Sequence, residues 1–216
     1  MNPETLDTLF SDLGQPDDGP EKTRIERHLW SRGVHTIAGV DEAGRGCLAG
    51  PVVAAAVILP VGADIDGVDD SKTLSEPERT SLADVVRRQA VAVAVAECSA
   101  REIDRLNILW ASMEAMRRAL IRLERALDYV LIDGNTMIPN CAWPARAVVK
   151  GDSRSLSIAA ASIIAKTHRD RLMREAHERF PEYSWNTNVG YPTAGHYEAL
   201  RTHGPSPMHR RSFRLE

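Results

Sequence analysis

The chain has 216 residues, of which 43% are hydrophobic and 26% are charged, and its formal net charge is −3. That composition fits one ordinary globular domain, and the longest apolar run, residues 52–60, is too short to cross a membrane as a helix. Three widely separated cysteines (Cys47, Cys98, Cys141) argue against a disulfide framework or a cysteine-based zinc site, and with no export signal at the N-terminus we expect a cytoplasmic protein.

Residues 1–33 are expected to form an N-terminal leader outside the main domain. The leader contains two predicted short helices, over residues 5–13 and 21–32, and Gly33 ends the second one. Beyond it, strands are predicted at 36–42, 52–59, 90–96, 129–133 and 145–150, and helices at 76–89, 110–127, 157–179 and 194–202. This order predicts an α/β domain over residues 34–216, in which helices flank one mixed sheet and a helical extension follows at the C-terminus.

Acidic residues end three of the predicted strands. Asp41 and Asp133 each follow an apolar strand, and Asp152 comes shortly after the strand at 145–150. If these strands lie in one sheet, the three carboxylates gather at one edge, where their repulsion is costly unless a cation neutralises it. Oxygen ligands without cysteine or histidine favour Mg²⁺ or Mn²⁺. Each acid alone is also compatible with a turn or a helix cap, and Asp152 could cap the helix that begins near Ser155.

Glu42 directly follows Asp41, and adjacent residues of a strand point to opposite faces. One site can hold both acids only if the chain bends there, which Gly44 and Gly46 would allow. The alternative is that Glu42 faces solvent and that the glycines form a hairpin. A dinucleotide-binding loop is rejected, because Pro51 and a strand follow where that motif needs a helix.

Several segments together resemble the signature of the type 2 ribonucleases H. They occur in the order of that family and cover residues 34–215. They are GVDEAGRG (39–46), LAGPV (48–52), DSK (70–72), IDG (132–134), KGD (150–152), SIAAASIIAK (157–166), GYPT (190–193) and HRRSF (209–213).

The resemblance implies a ribonuclease H-like fold and a two-metal-ion endonuclease. Its catalytic residues and metal ligands would be Asp41, Glu42, Asp133 and Asp152, with Mg²⁺ or Mn²⁺ as the cofactor. The enzyme would cut on the 5′ side of ribonucleotides, in RNA/DNA hybrids and at single ribonucleotides in duplex DNA, and leave 3′-hydroxyl and 5′-phosphate ends. This activity implies a role in removing ribonucleotides from DNA during replication and repair.

The resemblance also implies which residues bind the substrate. Gly44, Arg45 and Gly46 would read the ribose 2′-hydroxyl largely through the backbone. Ser71 and Lys72 would contact phosphates, and Tyr191 would stack on the deoxyribose that follows the ribonucleotide. The chain departs from the pattern at Val189, where family members often carry a lysine, so that one positive charge beside Tyr191 is missing.

Other functions remain open at this point. Resolvases and integrases share the fold and a carboxylate cluster but do not need a 2′-hydroxyl, and a family member without catalysis could serve as a binding module. We expect a monomer that acts on nucleic acid and not at a membrane. Lys166 and Asp170, four residues apart, predict an ion pair, whereas His209, Arg210 and Arg211 fit either a solvated tail or a phosphate contact.

Overall fold

The computed structural model describes residues 21–68 and 74–216. The five strands are β1 (Ile37–Ala43), β2 (Val52–Ile58), β3 (Ala92–Cys98), β4 (Tyr129–Asp133) and β5 (Ala145–Val148). The described residues also form seven α-helices, namely α1 (Arg24–Trp30), α2 (Glu76–Gln89), α3 (Ala100–Leu106), α4 (Ile108–Arg122), α5 (Leu156–Arg179), α6 (Trp185–Asn188) and α7 (Ala194–His203). Short 3-10 turns cover Glu21–Thr23, Gly151–Ser153 and Pro181–Tyr183.

The five strands form one mixed sheet in the order β3-β2-β1-β4-β5. The strands β3, β2 and β1 are joined by antiparallel pairing, while β4 runs parallel to both β1 and β5. The predicted mixed sheet flanked by helices is therefore confirmed. Because β1, β4 and β5 run in the same direction, their carboxyl ends meet at one edge of the sheet.

Helices cover both faces of the sheet. On one face, Val40 and Ile132 pack with Met116 and Leu120 of α4. On the other face, Val57 and its neighbours pack with α5 and α2. Every residue of β2 is buried, as expected for a strand that is apolar on both faces.

The N-terminal end of α5 lies directly against β1. A Cβ atom at Gly39 would stand 2.2 Å from the backbone carbon of Ser157, so only glycine permits this contact. Ser155 is the N-cap, and its hydroxyl accepts a hydrogen bond from the N–H of Ile158. Asp152, the other candidate for this cap, lies in the preceding 3-10 turn instead.

Helix α1, in the first described segment, packs against the sheet. Ile25 and Leu29 are buried with residues of β4. The carboxylate of Glu26 is buried. Its Oε1 accepts hydrogen bonds from the hydroxyl of Ser155, the hydroxyl of Ser157 and the N–H of Ser157. Residues 21–30 thus hold the start of α5 in place. The predicted helix over residues 5–13 lies outside the described residues.

The helix α4 differs from the prediction at both of its ends, and an unpredicted helix precedes it. The helix expected at 110–127 begins earlier, at Ile108, and ends at Arg122, just before Glu124 with its positive φ of 50°. The preceding α3 was not predicted, although Ser99 and Glu102 form a capping box at its start. Asn107 separates α3 from α4 because its φ of 64° is incompatible with a continuous helix.

The C-terminal extension predicted beyond α5 is present. Trp185, Tyr183 and Leu200 form a separate buried cluster with Met173 of α5 and Leu48 of the loop after β1. The extension therefore packs against both α5 and the loop between β1 and β2. Among the described residues, none of the helices combines the length and the apolar character that crossing a bilayer requires.

We predict that Glu26→Ala lowers the free energy of unfolding by about 2–4 kcal/mol, because it leaves two hydroxyls and one N–H at the start of α5 without an acceptor. Glu26→Gln should lose less, since its amide oxygen can accept the same bonds. Burial raises the pKa of Glu26, so the wild type loses stability as pH rises through that raised value, and the Gln variant lacks this loss. Urea unfolding between pH 4 and 8 measures both effects.

The exposed Glu178 on α5 provides the matched control. Glu178→Ala should leave unfolding unchanged, and equal stability of Glu26→Ala and Glu178→Ala would contradict the structural role of Glu26.

Candidate active site

The sheet brings the predicted acids to one edge. Asp41 lies within β1, Asp133 is the last residue of the neighbouring β4, and Asp152 lies in the 3-10 turn after β5. Asp41 and Asp152 are only 6% and 9% exposed, so these carboxylates are largely withdrawn from water. Asp41, Glu42 and Asp133 are close enough for their charges to perturb one another, and the charge of Asp152 acts on Asp133.

Backbone N–H groups orient two of the acids. Asp41 Oδ1 accepts a hydrogen bond of 2.7 Å from the N–H of Glu42, and Asp133 Oδ1 accepts one of the same length from the N–H of Gly151. A Cβ atom at Gly151 would lie 2.6 Å from the Ile158 side chain, so a larger residue would disturb this contact. Glu42 is held differently, by an ion pair of 3.2 Å with Arg45.

The acids lie in an unfavourable electrostatic environment. Burial raises the pKa of Asp41 well above its ordinary value, and the charges of Glu42 and Asp133 raise it further. Burial also raises the pKa of Glu42, against the lowering effect of Arg45. For Asp133, burial again raises the pKa, and the charge of Asp152 adds to the effect. Additional positive charge at this edge would relieve the repulsion.

The donor set fits a divalent cation by its chemistry. It consists of carboxylate oxygens, the ligands that Mg²⁺ and Mn²⁺ prefer. Within residues 21–68 and 74–216, however, no three acidic, histidine or cysteine side chains already converge as a complete metal site. A cation at this edge would compete with Arg45 for Glu42. Asp41 and Asp133 accept hydrogen bonds from the backbone N–H groups at Oδ1, and each carboxylate keeps further lone pairs for a cation.

The loop after β1 contains the predicted ribose-reading residues. Gly44 has a φ of +95°, and a Cβ atom there would lie 1.9 Å from the Arg169 side chain, so this position requires glycine on two grounds. Gly46 differs, because a Cβ atom built on it would meet nothing within 4 Å. The fold itself therefore does not require glycine at position 46.

Two fully buried arginines stabilise this loop by hydrogen bonds to its backbone carbonyls. The guanidinium of Arg169 donates to the carbonyls of Pro51, Ala49 and Val189. The guanidinium of Arg210 donates to the carbonyls of Gly44, Arg45, Gly50 and Pro51. His209 and Arg210 are 2% and 0% exposed, so neither the solvated tail nor the phosphate contact considered for them describes these two residues.

Tyr191 lies at the surface of the site. It is 39% exposed, and the ammonium of Lys166 lies 5.2 Å from the centroid of its ring. Its neighbour Val189 is buried and adopts a left-handed conformation with φ 41°. Ser71 and Lys72, the predicted phosphate contacts, lie outside the described residues.

A cavity of about 330 Å³ joins these elements. Glu42, Gly44 and Tyr191 line it, and so do three polar residues that are not among the predicted site residues, which are Arg79, Ser162 and Lys166. Lys166 and Arg79 both pair with the buried carboxylate of Asp170, at 2.8 and 3.3 Å, and the predicted ion pair between Lys166 and Asp170 is confirmed. The sequence pattern does not identify Arg79 as a site residue. Only the tertiary packing of α2 against α5 brings Arg79 to the cavity.

Comparison with known proteins agrees with this arrangement. A family model described as Ribonuclease HII matches residues 38–216. The Ribonuclease HII of Salinibacter ruber is 56% identical over 193 residues, which cover 88% of this chain and 96% of that protein. The ribonuclease H2 of Pyrococcus horikoshii OT3 has a TM-score of 0.70 at 27% identity and covers 83% of this chain and 94% of its own. The RNase HII in a PCNA complex from Archaeoglobus fulgidus has a TM-score of 0.71 at 28% identity, with coverages of 84% and 96%.

We predict that Asp133→Asn stabilises the cation-free protein, because it removes one charge from the cluster and keeps an oxygen for the N–H of Gly151. In EDTA its melting temperature should rise by about 2–5 °C at pH 7. The sign follows from the raised pKa values: the native wild type keeps protons that the unfolded chain releases, so it loses stability as pH rises toward neutrality. The stabilisation on adding Mn²⁺ or Mg²⁺ should be smaller than in the wild type.

Calorimetry of both proteins, with and without cation, checks this prediction. Asp84→Asn, a change at an exposed residue of α2, is the matched control and should alter neither quantity. A metal-free melting temperature below that of the wild type, or an undiminished response to cation, would contradict the proposed charge cluster.

Proposed function

The chain belongs to the ribonuclease HII family, and from this membership we propose that it cuts duplex DNA on the 5′ side of single embedded ribonucleotides as well as RNA/DNA hybrids. It is an enzyme, an endoribonuclease that hydrolyses phosphodiesters, and the family implies activity on RNA/DNA hybrids. The observation that carries the finer proposal is the cavity in which Glu42 of the acid cluster, Gly44 of the loop and the exposed ring of Tyr191 meet.

In this proposal the acid cluster is the cation site. Asp41, Glu42, Asp133 and Asp152 would hold two ions of Mg²⁺ or Mn²⁺, which when bound supply charge for the phosphate and a lowered pKa for the attacking water. The protein's own contribution is orientation, because the N–H groups of Glu42 and Gly151 fix the carboxylates of Asp41 and Asp133. The products carry 3′-hydroxyl and 5′-phosphate ends.

The loop of Gly44, Arg45 and Gly46 would recognise the ribose. The open space over Gly46 allows a sugar to approach the backbone closely, and the 2′-hydroxyl is the group that distinguishes RNA from DNA. The carbonyls of Gly44 and Arg45 point inward to Arg210, which leaves the outer side of the loop for the substrate.

Two cations of the cavity wall are proposed to contact phosphate. Arg79 and Lys166 are held by the buried Asp170 and therefore present positive charge in fixed positions beside Glu42 and Tyr191. Charges that are already ordered lose less conformational entropy when they bind a phosphate. Ser71 and Lys72 are proposed as further phosphate contacts.

The cellular setting is also part of the proposal. All three cysteines are free, which suits a reducing compartment such as the cytoplasm. We propose that a monomer acts there in the removal of ribonucleotides from DNA during replication and repair.

We predict that Asp41→Asn abolishes cleavage, because an amide cannot supply the charge that a divalent cation needs. The assay uses three duplexes of one sequence, which contain a single ribonucleotide, a full RNA strand or only DNA. The wild type should cut the first two with Mg²⁺ or Mn²⁺ and leave the third intact. Cleavage of the all-DNA duplex would indicate a resolvase-like nuclease, and binding without any cleavage would indicate a binding module.

We predict that Gly46→Ala leaves the melting temperature unchanged but lowers kcat/KM on both ribonucleotide substrates by about tenfold or more, since its methyl group occupies the space proposed for the sugar. Gly195→Ala is the control, because a Cβ atom there also meets nothing within 4 Å. That control should leave cleavage unchanged, and its melting temperature should not fall, because Gly195 lies in the first turn of α7, where alanine is favoured over glycine. Normal cleavage by Gly46→Ala would place the ribose elsewhere.

We predict that Tyr191→Ala lowers cleavage at a single ribonucleotide by about one to two powers of ten, given roughly 1–3 kcal/mol for stacking by one aromatic residue. Tyr191→Phe, which keeps the ring, should lose much less. Thermal melts and cleavage of both ribonucleotide substrates distinguish this role from a purely structural one. Equal losses on both substrates together with a lower melting temperature would contradict it.

A further inference from the structure

Two adjacent residues of the C-terminal segment, His209 and Arg210, contact different parts of the structure. Arg210 donates hydrogen bonds to the carbonyls of Gly44 and Arg45, in the loop proposed to read the ribose. His209 forms an isolated β-bridge with Ala49 of the same loop, and its ring points the other way, into the C-terminal cluster. One dipeptide therefore connects the loop with the extension that carries Tyr191.

The connection from His209 to Tyr191 passes through a second buried histidine. His209 Nε2 lies 3.0 Å from His196 Nε2, and His196 Nδ1 lies 2.9 Å from the backbone carbonyl of Tyr191. The indole N–H of Trp185 also donates to His196 Nε2, at 3.2 Å. On the far side, the N–H of Ser206 donates to His209 Nδ1 at 3.0 Å.

These partners allow only one assignment of protons for two neutral rings. The carbonyl of Tyr191 can only accept, so His196 carries its proton on Nδ1 and accepts at Nε2. Because the Ser206 N–H can only donate, His209 accepts at Nδ1 and donates from Nε2 to His196. The hydroxyl of Ser206 lies 2.9 Å from His209 Nδ1 and can donate there as well. Every polar ring atom then has a complementary partner, and a proton added at His196 Nε2 or at His209 Nδ1 would face an N–H donor.

The surroundings keep both rings neutral at physiological pH. His196 and His209 are 0% and 2% exposed. Burial lowers the pKa of His196, and it lowers the pKa of His209 to about 4. The hydrogen-bonded chain from Ser206 to Tyr191 is therefore complete under the conditions in which the enzyme works.

We infer that the His196–His209 pair and Arg210 are positioning residues that hold Tyr191 and the Gly44–Gly46 loop in a fixed spatial relation, and thereby set the preference for a ribonucleotide followed by a deoxyribonucleotide. This inference rests on the proposed function, in which the loop reads the ribose and Tyr191 the next sugar. Neither histidine lines the cavity, so their effect on the substrate passes through Tyr191.

The physical basis is the spacing of two recognition points. A junction substrate must place a 2′-hydroxyl at the loop and a deoxyribose at Tyr191 at the same time, whereas an all-RNA strand offers a 2′-hydroxyl at every position. Loss of the bond to the Tyr191 carbonyl lets this backbone shift, and a misplacement of about 1 Å can matter greatly for a positioned substrate. The junction substrate should therefore suffer more than the hybrid.

The test is a double-mutant cycle between His196 and Tyr191. kcat/KM is measured for a duplex with one ribonucleotide and for an all-RNA hybrid, and their ratio defines the junction preference. His196→Ala should lower this ratio by about fivefold, the equivalent of one lost hydrogen bond of about 1 kcal/mol. In a Tyr191→Ala background, the same change should leave the ratio unaltered.

Two further variants separate positioning from stability. His196→Asn keeps an N–H near the place of Nδ1 and should retain the junction preference, even if its melting temperature falls with that of His196→Ala. His203→Ala, at an exposed histidine of the same helix, is the control and should change neither quantity. If His196→Ala does not fold, His196→Gln, which lacks a donor at the Nδ1 position, takes its place in the cycle.

The outcomes distinguish this inference from the proposed function. If Tyr191→Ala by itself leaves the junction preference unchanged, the proposed role of Tyr191 fails, and the inference fails with it. If Tyr191→Ala changes the preference but His196→Ala does not, or if the two effects simply add, only the inference is overturned. A lowered ratio that disappears in the Tyr191→Ala background, with preference retained in His196→Asn, supports it.

Discussion

Repulsion among partly buried carboxylates at one edge of the sheet is the constraint on which the rest of the site depends. Parallel pairing of β1, β4 and β5 brings Asp41, Asp133 and Asp152 to the same edge. Burial and mutual charge raise the pKa values of Asp41 and Asp133, so the fold maintains this cluster against an electrostatic penalty. Backbone N–H groups offset part of it, and Arg45 offsets part at Glu42. Carboxylates with perturbed pKa values are common at functional sites, which is the physical support for the proposed cation site.

Behind the acids, the loop after β1 depends on buried positive charge. Arg169 and Arg210 are both 0% exposed, and their guanidinium groups donate hydrogen bonds to backbone carbonyls of the loop and of Val189. Burial lowers the pKa of Arg210 to about 10, so it remains charged at neutral pH. A planar guanidinium can satisfy several carbonyls at fixed angles, which lysine cannot do. An irregular loop without a strand or helix of its own thus acquires a defined conformation.

The sequence predicted those features that depend on local residue patterns. It did not predict features that depend on contacts between segments far apart in the chain. The strand-end position of Asp133 and the mixed sheet followed from apolar periodicity, and both agree with the structure. The burial of His209 and the position of Arg79 could not be predicted, because each depends on packing between segments far apart in the chain. The helix α3 is a different case, since the capping box at Ser99 was a local signal that the periodicity of α4 obscured.

At Val189, backbone strain, burial and the charge beside Tyr191 all depend on one residue. A β-branched residue with φ 41° and ψ 33° is strained, at a cost of roughly 1–2 kcal/mol, and such strain persists only where the surroundings impose it. Here the side chain is buried in the C-terminal cluster, and the carbonyl accepts from Arg169 at 2.8 Å. A lysine, the residue that the resemblance to the family leads us to expect here, would carry a charge that this burial disfavours. The positive charge beside Tyr191 comes instead from Lys166. Its ammonium group is paired with Asp170 and lies 5.2 Å from the centre of the tyrosine ring. The strained residue therefore fixes the backbone that leads into Tyr191, and α5 supplies the charge.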